Sequence, residues 1–302
     1  MVSVAPLISV IIPAYNYAHL LPRTLNSVLS QVADDIEIIV VNDGSTDNTQ
    51  QVLLDFSEQN PLLTIYHHEN AGAAAARNHG IRMASGQYVL LLDADDALTN
   101  NALSLLRELV ELYPDVGLVL GGKISVYANG RERTFKPTPM QPLPPCDLAH
   151  QYLLQKKISI SHGSSLFRRD ILVLRPYPEK LRGMEDTPVF LHMLINASVR
   201  TIEAPLVKVY KHVDSLRHLR KDSEKRALIL MEEVFATLPQ ECAVLRKRYK
   251  AQRYLSLFRA ALNAGELDEA RLFYRTALSL DFLHALKWSY MRKALRLLWV
   301  SK

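Results

Sequence analysis

Three carboxylates, Asp93, Asp95 and Asp96, stand within four residues at the end of the apolar run YVLLL (88–92). Like charges that close repel one another unless a cation intervenes. A hard divalent ion such as Mg2+ or Mn2+ would use one or two of them and fill its other positions with water and phosphate oxygens. The same residues can instead cap the helix that follows. Asp43, in VVNDGSTDNT (40–49), is placed to accept a hydrogen bond from the ring N–H of a base such as uracil, while Ser45 or Thr46 caps a helix. Pro13 and Tyr15, in IIPAYN (11–16), offer a flat apolar wall beside an acceptor-rich turn; such a segment is more often ordinary turn chemistry. Glu185 and Asp186, in RGMEDTPVF (182–190), are either a candidate general base with its neighbour or favourable negative charge in a first helical turn. His212, in VYKHVDS (209–215), is a possible metal or phosphate contact, a role that a lone histidine seldom has.

The elements around these residues alternate. Apolar, β-branched runs at 7–15, 36–45, 63–70, 88–92 and 116–122 read as buried strands. Between them, 19–32, 45–59, 72–85 and 100–113 have helical spacing and capping residues. Pro13 is expected to end the first strand by removing a ladder donor. Continuous apolar strands alternating with helices predict a mostly parallel sheet covered on both faces. Ligands of such sheets bind at the carboxyl ends of the strands. Asn16, Asp43, Asn70, Asp93 and Asp95 all fall there. Beyond residue 122 the pattern loosens. FKPTPMQPLPPC (135–146) holds five prolines and reads as a surface loop. Residues 160–172 read as strand then short helix, 181–197 as helix and 199–215 as strand; from Ser223 the pattern is helical.

Composition sets the outer bounds. The 302 residues, 48% hydrophobic, suffice for one large α/β domain or two smaller ones. No run approaches the length of a membrane-spanning helix, and the N-terminus lacks the pattern of a signal peptide, so the chain is expected to be cytoplasmic. Cys146 and Cys242 are far apart and form no metal spacing; they suggest a reducing compartment without a disulfide framework. The formal net charge is +5, but residues 241–302 hold 13 Lys/Arg against 5 Asp/Glu, a net of +8, which leaves −3 for the first 240. Within 254–282 an alanine-spaced helix pair resembles one tetratricopeptide unit, too little to stand alone. The tail 283–302 interleaves Trp288, Tyr290, Leu295, Leu298 and Trp299 with Lys287, Arg292, Lys293 and Arg296. It suits an amphipathic helix on an anionic membrane surface, or a helix packed on the body with a solvated basic face. No nucleic-acid-binding motif is present.

In their order and spacing, IIPAYN, VVNDGSTDNT, NAGAAAARNHGIRMASGQYVLLLDADD, GMEDTPVF and YKHVDS closely resemble the family 2 glycosyltransferases of GT-A fold, over roughly residues 7–215. The resemblance implies a nucleotide-binding α/β sheet flanked by helices and followed by an α-helical C-terminal region. It puts Pro13, Tyr15, Asn16, Asp43, Gly72, Arg77 and Asp93 at the donor, with Asn78 beside Arg77. It makes Asp93 and Asp95 a DxD motif, Asp95 binding a divalent cation (Mn2+ or Mg2+) directly, with His212 as a further metal contact. Asp186 becomes the base that deprotonates the acceptor hydroxyl, supported by Glu185. The implied reaction is inverting transfer of a single sugar from a nucleoside diphosphate sugar, by default a UDP-hexose or UDP-N-acetylhexosamine, with TDP and GDP as alternatives. The implied acceptor is a saccharide or lipid-linked saccharide in cell-surface polysaccharide or glycolipid synthesis.

The expected layout is a GT-A domain over 1–220, with a nucleotide-sugar half to about 122 and an acceptor half over 123–220, and a helical region over 221–302. The sequence departs from the family at Asn42, where many relatives carry an acid, and at the small run Ala73–Ala76. A Gln-x-x-Arg-Trp pattern is missing, which argues against a processive polymer synthase. Two rival readings are weaker. A nucleotidyltransferase should show a Gly-rich basic loop near the N-terminus, and IIPAYNYAHL has neither Gly nor Lys. A non-catalytic scaffold would have no need of Asp43, Asp93, Asp95 and Asp186 together.

Overall fold

The computed structural model describes residues 5–211 and 223–299. Its elements run β1 (Ile8–Ala14), α1 (Leu21–Leu29), β2 (Ile36–Asp43), α2 (Thr49–Gln59), β3 (Leu63–His68), α3 (Ala73–Met83), β4 (Tyr88–Leu91), β5 (Ala97–Leu98), α4 (Ala102–Leu112), β6 (Leu118–Val126) and β7 (Glu132–Phe135). Then come α5 (Pro145–Ala149), β8 (Ser165–Arg168), α6 (Arg169–Leu172), α7 (Asp186–Asn196) and β9 (Val199–Tyr210). The remainder is helical: α8 (Ser223–Ala236), α9 (Leu245–Ala264), α10 (Leu267–Leu280), α11 (Phe282–Ala285) and α12 (Trp288–Trp299).

The strands form one nine-stranded sheet in the order β3-β2-β1-β4-β8-β6-β9-β5, with β7 paired to β6. The first four strands in chain order pair parallel, as their continuous apolar runs require. β8 turns the sheet mixed by lying antiparallel to both β4 and β6. Chain order reverses between β1 and β4, so the crevice expected of an open α/β sheet opens at their carboxyl ends. Leu21, Leu25 and Val28 of α1 bury against β1, β2 and β4 on one face of the sheet. On the other face α3 lies so close to β1 that a Cβ on Gly80 would stand 2.3 Å from Ile11 Cγ2. Substitution at Gly80 would push α3 off the sheet, and with it the side chains it carries toward the crevice.

Pro13 does not end β1. The strand continues to Ala14, with Pro13 opposite Val41 of β2, while pairing with β4 has already stopped at Ile11 opposite Leu91. The missing N–H falls beyond the last β4 pair, so the chain bears it without losing a rung there.

The chain divides into two compact units. The first holds residues 1–143 and 158–217, the second 144–157 and 218–302. Residues 144–157 thus belong with the helical region, not with the sheet. Cys146 and Cys242 are joined by a disulfide within the second unit, 96 residues apart in sequence. This corrects the expectation of two separate thiols and removes its support for a reducing compartment. In the second unit α9 and α10 pack together around Leu255, Phe258, Ala270 and Phe273. No described helix is long and apolar enough to cross a membrane.

Candidate active site

The loops after β1 and β2 are laced together by side-chain hydrogen bonds. Asn16 Oδ1 accepts from the Thr46 and Asp47 backbone N–H groups at 2.8 and 3.3 Å, and Ser45 Oγ accepts from Asn16 N at 3.0 Å. Asn16 adopts a positive φ of 57°, which asparagine tolerates better than most residues. Asp43 closes the next link. Its two carboxylate oxygens accept from Ala71 N (2.8 Å) and Gly72 N (2.9 Å), with His68 Nδ1 3.3 Å away. Asp43 is therefore buried as the staple of the 70–72 turn, and its remaining lone pairs are what a base could use. Tyr15 stands 43% exposed beside the Asn16 turn.

The acidic turn after β4 is fixed through its backbone. Arg23 Nη2 donates to the Asp95 carbonyl at 2.6 Å, and its guanidinium lies 3.5 Å from the centre of the Tyr210 ring. The buried Thr24 hydroxyl lies 2.8 Å from the Ala94 carbonyl and 2.6 Å from that of Asp96, donating to one or the other. Tyr210 N donates to Asp96 Oδ1 at 3.0 Å. The charges crowd as a result. Burial first, then the Asp93 and Asp95 charges, push the Asp96 carboxyl up to about 8. Burial, with Asp95, Asp93 and Asp96, pushes the Tyr17 phenol up to about 12.

Across the crevice α7 begins with the other acids, and a buried guanidinium ties the two groups. Arg77, on α3, donates from Nη2 to Asp93 Oδ1 at 2.9 Å and from Nη1 to Glu185 Oε1 at 3.2 Å. Its Nη1 also lies 3.7 Å from Asp186 Oδ1. Burial opposes the charge on Arg77, but Asp93 and Asp186 outweigh it and hold the guanidinium protonated. The same contact works in reverse on Asp93: burial raises it, and Arg77 brings its carboxyl below the ordinary carboxylate range. Arg77 is thus spent on carboxylates. Its neighbour Asn78 clamps the backbone of Tyr177, accepting from Tyr177 N at 2.8 Å and donating to Tyr177 O at 2.9 Å.

His162 and Tyr177 complete the group, and neither stands out in the sequence. His162 Nε2 is 3.0 Å from Tyr177 Oη and 3.4 Å from Asp186 Oδ1, and Nδ1 is 3.9 Å from Asp93 Oδ1. Phe190 meets the imidazole edge-on at 4.9 Å. The turn that carries His162 lies flat because Gly163 has no side chain; a Cβ there would be 2.7 Å from Val207 Cγ2. Burial and then Arg77 hold the imidazole below its usual range, so it is neutral near pH 7. Burial, then the Asp186 charge, keeps the Tyr177 phenol protonated. Asp186 Oδ1 is buried facing these groups without a hydrogen bond, yet the side chain as a whole is 43% exposed. The exposure therefore belongs mainly to Oδ2. The carboxylate is held from one side and open on the other, at the helix N-terminus that favours its charge. Glu185 is buried, and its Oε2 makes no hydrogen bond.

The structure brings together Asp93, Asp186, Glu185 and Arg77 around one guanidinium, and Asp95 and Asp96 adjoin Asp93. His212 lies outside the described residues. Among those residues no three His, Cys, Asp or Glu side chains converge as a metal cage. The oxygen donors of Asp93 and Asp95 nevertheless fit Mg2+ or Mn2+, which take few protein carboxylates and complete their shells with substrate phosphates. Burial is the main cause of the raised Asp96 carboxyl, and the Asp93 and Asp95 charges that add to it are what such an ion would relieve.

A crevice at the switch point of a mostly parallel sheet, with helices on its faces and a helical C-terminal region, defines a GT-A-type fold. Residues 9–174, more than half the chain, match the profile of Glycosyl transferase family 2, and the chain belongs to that family. The glycosyltransferase GlyA of Streptococcus pneumoniae serotype 4 is 39% identical over 112 residues, which is 37% of this chain and 16% of that protein. Chondroitin synthase of Pasteurella multocida is 42% identical over 100 residues, 33% of this chain and 10% of that protein. The matched parts are well under two thirds of those relatives' lengths. The crystal structure of S. aureus TarS 1–349 in complex with UDP-GlcNAc superposes with a TM-score of 0.69 at 21% identity, covering 93% of this chain and 82% of that one.

Proposed function

We propose that the protein is an inverting glycosyltransferase that moves one sugar from a UDP-linked donor to an acceptor hydroxyl, using Asp186 as the base. The observation that carries this reading is the posture of Asp186, with Oδ1 buried beside Arg77 and His162 and the rest of the carboxylate open to solvent. A general base needs one oxygen free for the incoming hydroxyl and a fixed orientation for the other.

The reaction is a single displacement. The acceptor hydroxyl sits against Asp186 Oδ2 and gives up its proton as its oxygen bonds to the anomeric carbon. The bond from that carbon to the phosphate oxygen breaks, and its electron pair leaves with the nucleoside diphosphate. Attack opposite the leaving group turns an α-linked donor into a β-linked product. Glu185, through Arg77, keeps the acids of α7 and the β4 turn in register. Pro13, Tyr15, Asn16, Asp43 and Gly72 form the strand-end wall against which the base and ribose would rest. A divalent cation bound by Asp95 and Asp93 would take up charge on the departing diphosphate.

UDP-N-acetylhexosamine is the first donor to test, because the TarS structure of like fold holds UDP-GlcNAc. A hydroxyl on a saccharide or lipid-linked saccharide of the cell surface is the acceptor class that agrees with transfer of one sugar at a time. The experiment measures UDP release from UDP-GlcNAc with Mn2+, alongside the thermal shift produced by UDP. Asp186→Asn is expected to lower turnover by about 100- to 10,000-fold, the range of general-base catalysis, with the UDP shift retained. Native turnover in that variant would remove Asp186 as the base.

A further inference from the structure

In the second unit, exposed apolar side chains and positive charge without acids coincide in one short stretch. Phe282 (60%), Leu283 (82%), Leu286 (37%), Trp288 (66%) and Leu295 (45%) all stand exposed within fourteen residues. The inward positions of the same helices are already in use. Ala285 of α11 is buried in the α9–α10 core, Tyr290 and Ala294 of α12 pack on it, and Tyr274 Oη donates to the Ala285 carbonyl. The exposed side chains are therefore what remains after this unit has folded.

The charge in the stretch has one sign. Residues 282–302 contain five Lys/Arg and no Asp or Glu. Lys287 and Arg292 are exposed among the apolar side chains. Asp281, just before α11, is engaged: its Oδ1 caps His284 N at 3.0 Å, and Oδ2 lies 3.5 Å from Arg248 Nε. These features select the partner. A second copy would bring cations against cations in a two-fold contact. A nucleic acid would pair with the cations but leave Phe282, Leu283 and Leu286 without an apolar partner. An anionic bilayer satisfies both, with phosphates for Lys and Arg and an acyl boundary for the Leu, Phe and Trp side chains.

We propose that α11 and α12 form a docking surface for a bilayer rich in acidic phospholipid. Phe282, Leu283, Leu286 and Trp288 enter the headgroup boundary, and Lys287 and Arg292 contact lipid phosphates. This assignment stands apart from the catalytic reading, since it uses no residue of the crevice.

The sequence supplies a reporter. Both tryptophans of the chain, Trp288 and Trp299, fall in this stretch, so intrinsic tryptophan emission reports on it alone. The full chain is mixed with vesicles of phosphatidylcholine, with or without phosphatidylglycerol, and followed by co-sedimentation and by emission wavelength. With phosphatidylglycerol the protein is expected to pellet and its emission to shift to the blue; high salt should release it, and phosphatidylcholine alone should not bind it. Lys287→Glu combined with Arg292→Glu is expected to weaken binding at least tenfold, and so is Leu283→Ser combined with Trp288→Ser. All four positions are exposed, so both variants should keep the native melting temperature and UDP response. Equal pelleting with both vesicle types, no emission shift, or native binding by both variants would overturn the assignment. So would blue-shifted emission without lipid that tracks formation of a dimer or binding to an acidic protein.

Discussion

The two acidic clusters of the crevice are held in opposite ways. The turn after β4 is gripped mainly by its backbone: Arg23 donates to the Asp95 carbonyl and Thr24 to that of Ala94 or Asp96, while the carboxylates stand crowded together. The start of α7 is gripped by its side chains: Arg77 bonds Glu185, and Arg77 and His162 face Asp186 Oδ1. The contrast agrees with the two roles proposed for these acids. A cation site gains from carboxylates crowded together on a backbone that cannot retreat. A base gains from a carboxylate with one oxygen enclosed and the other open to solvent.

Arg77 is the charged group that bonds to both clusters, with the neutral His162 beside it, so its removal should have the largest effect. Arg77→Met leaves Asp93, Glu185 and Asp186 without their buried cation. Breaking a buried ion pair from one side costs about 3–5 kcal/mol, and a loss of that order is expected in urea unfolding. Arg77→Lys should recover little, because an ammonium cannot span Asp93 and Glu185 as the guanidinium does. A variant of native stability would mean that the two clusters are held independently.

Separate damage to each cluster sharpens the contrast. Asp95→Ala should weaken Mn2+-dependent UDP binding by roughly tenfold or more, the loss of one direct ligand being at least as severe as that of an outer partner. Asp186→Asn should spare that binding. His162 offers a gentler test on the α7 side. His162→Ala is expected to lower kcat for UDP release about tenfold, within the cost of a misplaced catalytic group, with KM for UDP-GlcNAc unchanged. His162→Gln, which keeps a donor near the position of Nε2, should recover most of it. Equal losses in both variants, in step with melting temperature, would make His162 a packing residue.

Much of the β4 cluster was legible because its signal is local. An apolar run that ends in DADD declares a strand end, and the alternation of strands and helices puts that end at a crevice. The acids of α7 were legible only as a pair, since what orients Asp186 comes from residues distant in sequence. Arg77 reads from sequence as a donor contact, and the structure shows its guanidinium spent on carboxylates of β4 and α7. His162 leaves a faint trace: polar residues at Ser161, His162, Ser164 and Ser165 lead into a strand, and three of them are fully enclosed. Buried polar groups are informative where exposed ones are not, but burial is not written in the chain. The Cys146–Cys242 pairing is less legible still. It joins two cysteines of one compact unit that stand 96 residues apart, with a long segment of the first unit between them in sequence, and no spacing rule reaches that far.

The smallest effect should come from Thr24, and it isolates the backbone half of the contrast. Thr24 is fully buried on α1 and touches no carboxylate; its hydroxyl serves only the Ala94 and Asp96 carbonyls. Thr24→Val keeps the shape and removes the donor. A lost hydrogen bond of this kind costs about 1–3 kcal/mol, since the carbonyls stay buried with fewer donors, and thermal unfolding should show it. If the acidic turn depends on its backbone anchors, Mn2+-dependent UDP binding should weaken a few-fold in the same variant. The base should be untouched, so turnover at saturating donor should stay native. An unchanged UDP affinity alongside lower stability would show that Arg23 and Tyr210 hold the turn without Thr24. A fall in saturated turnover would show that the two clusters communicate through the sheet and not only through Arg77.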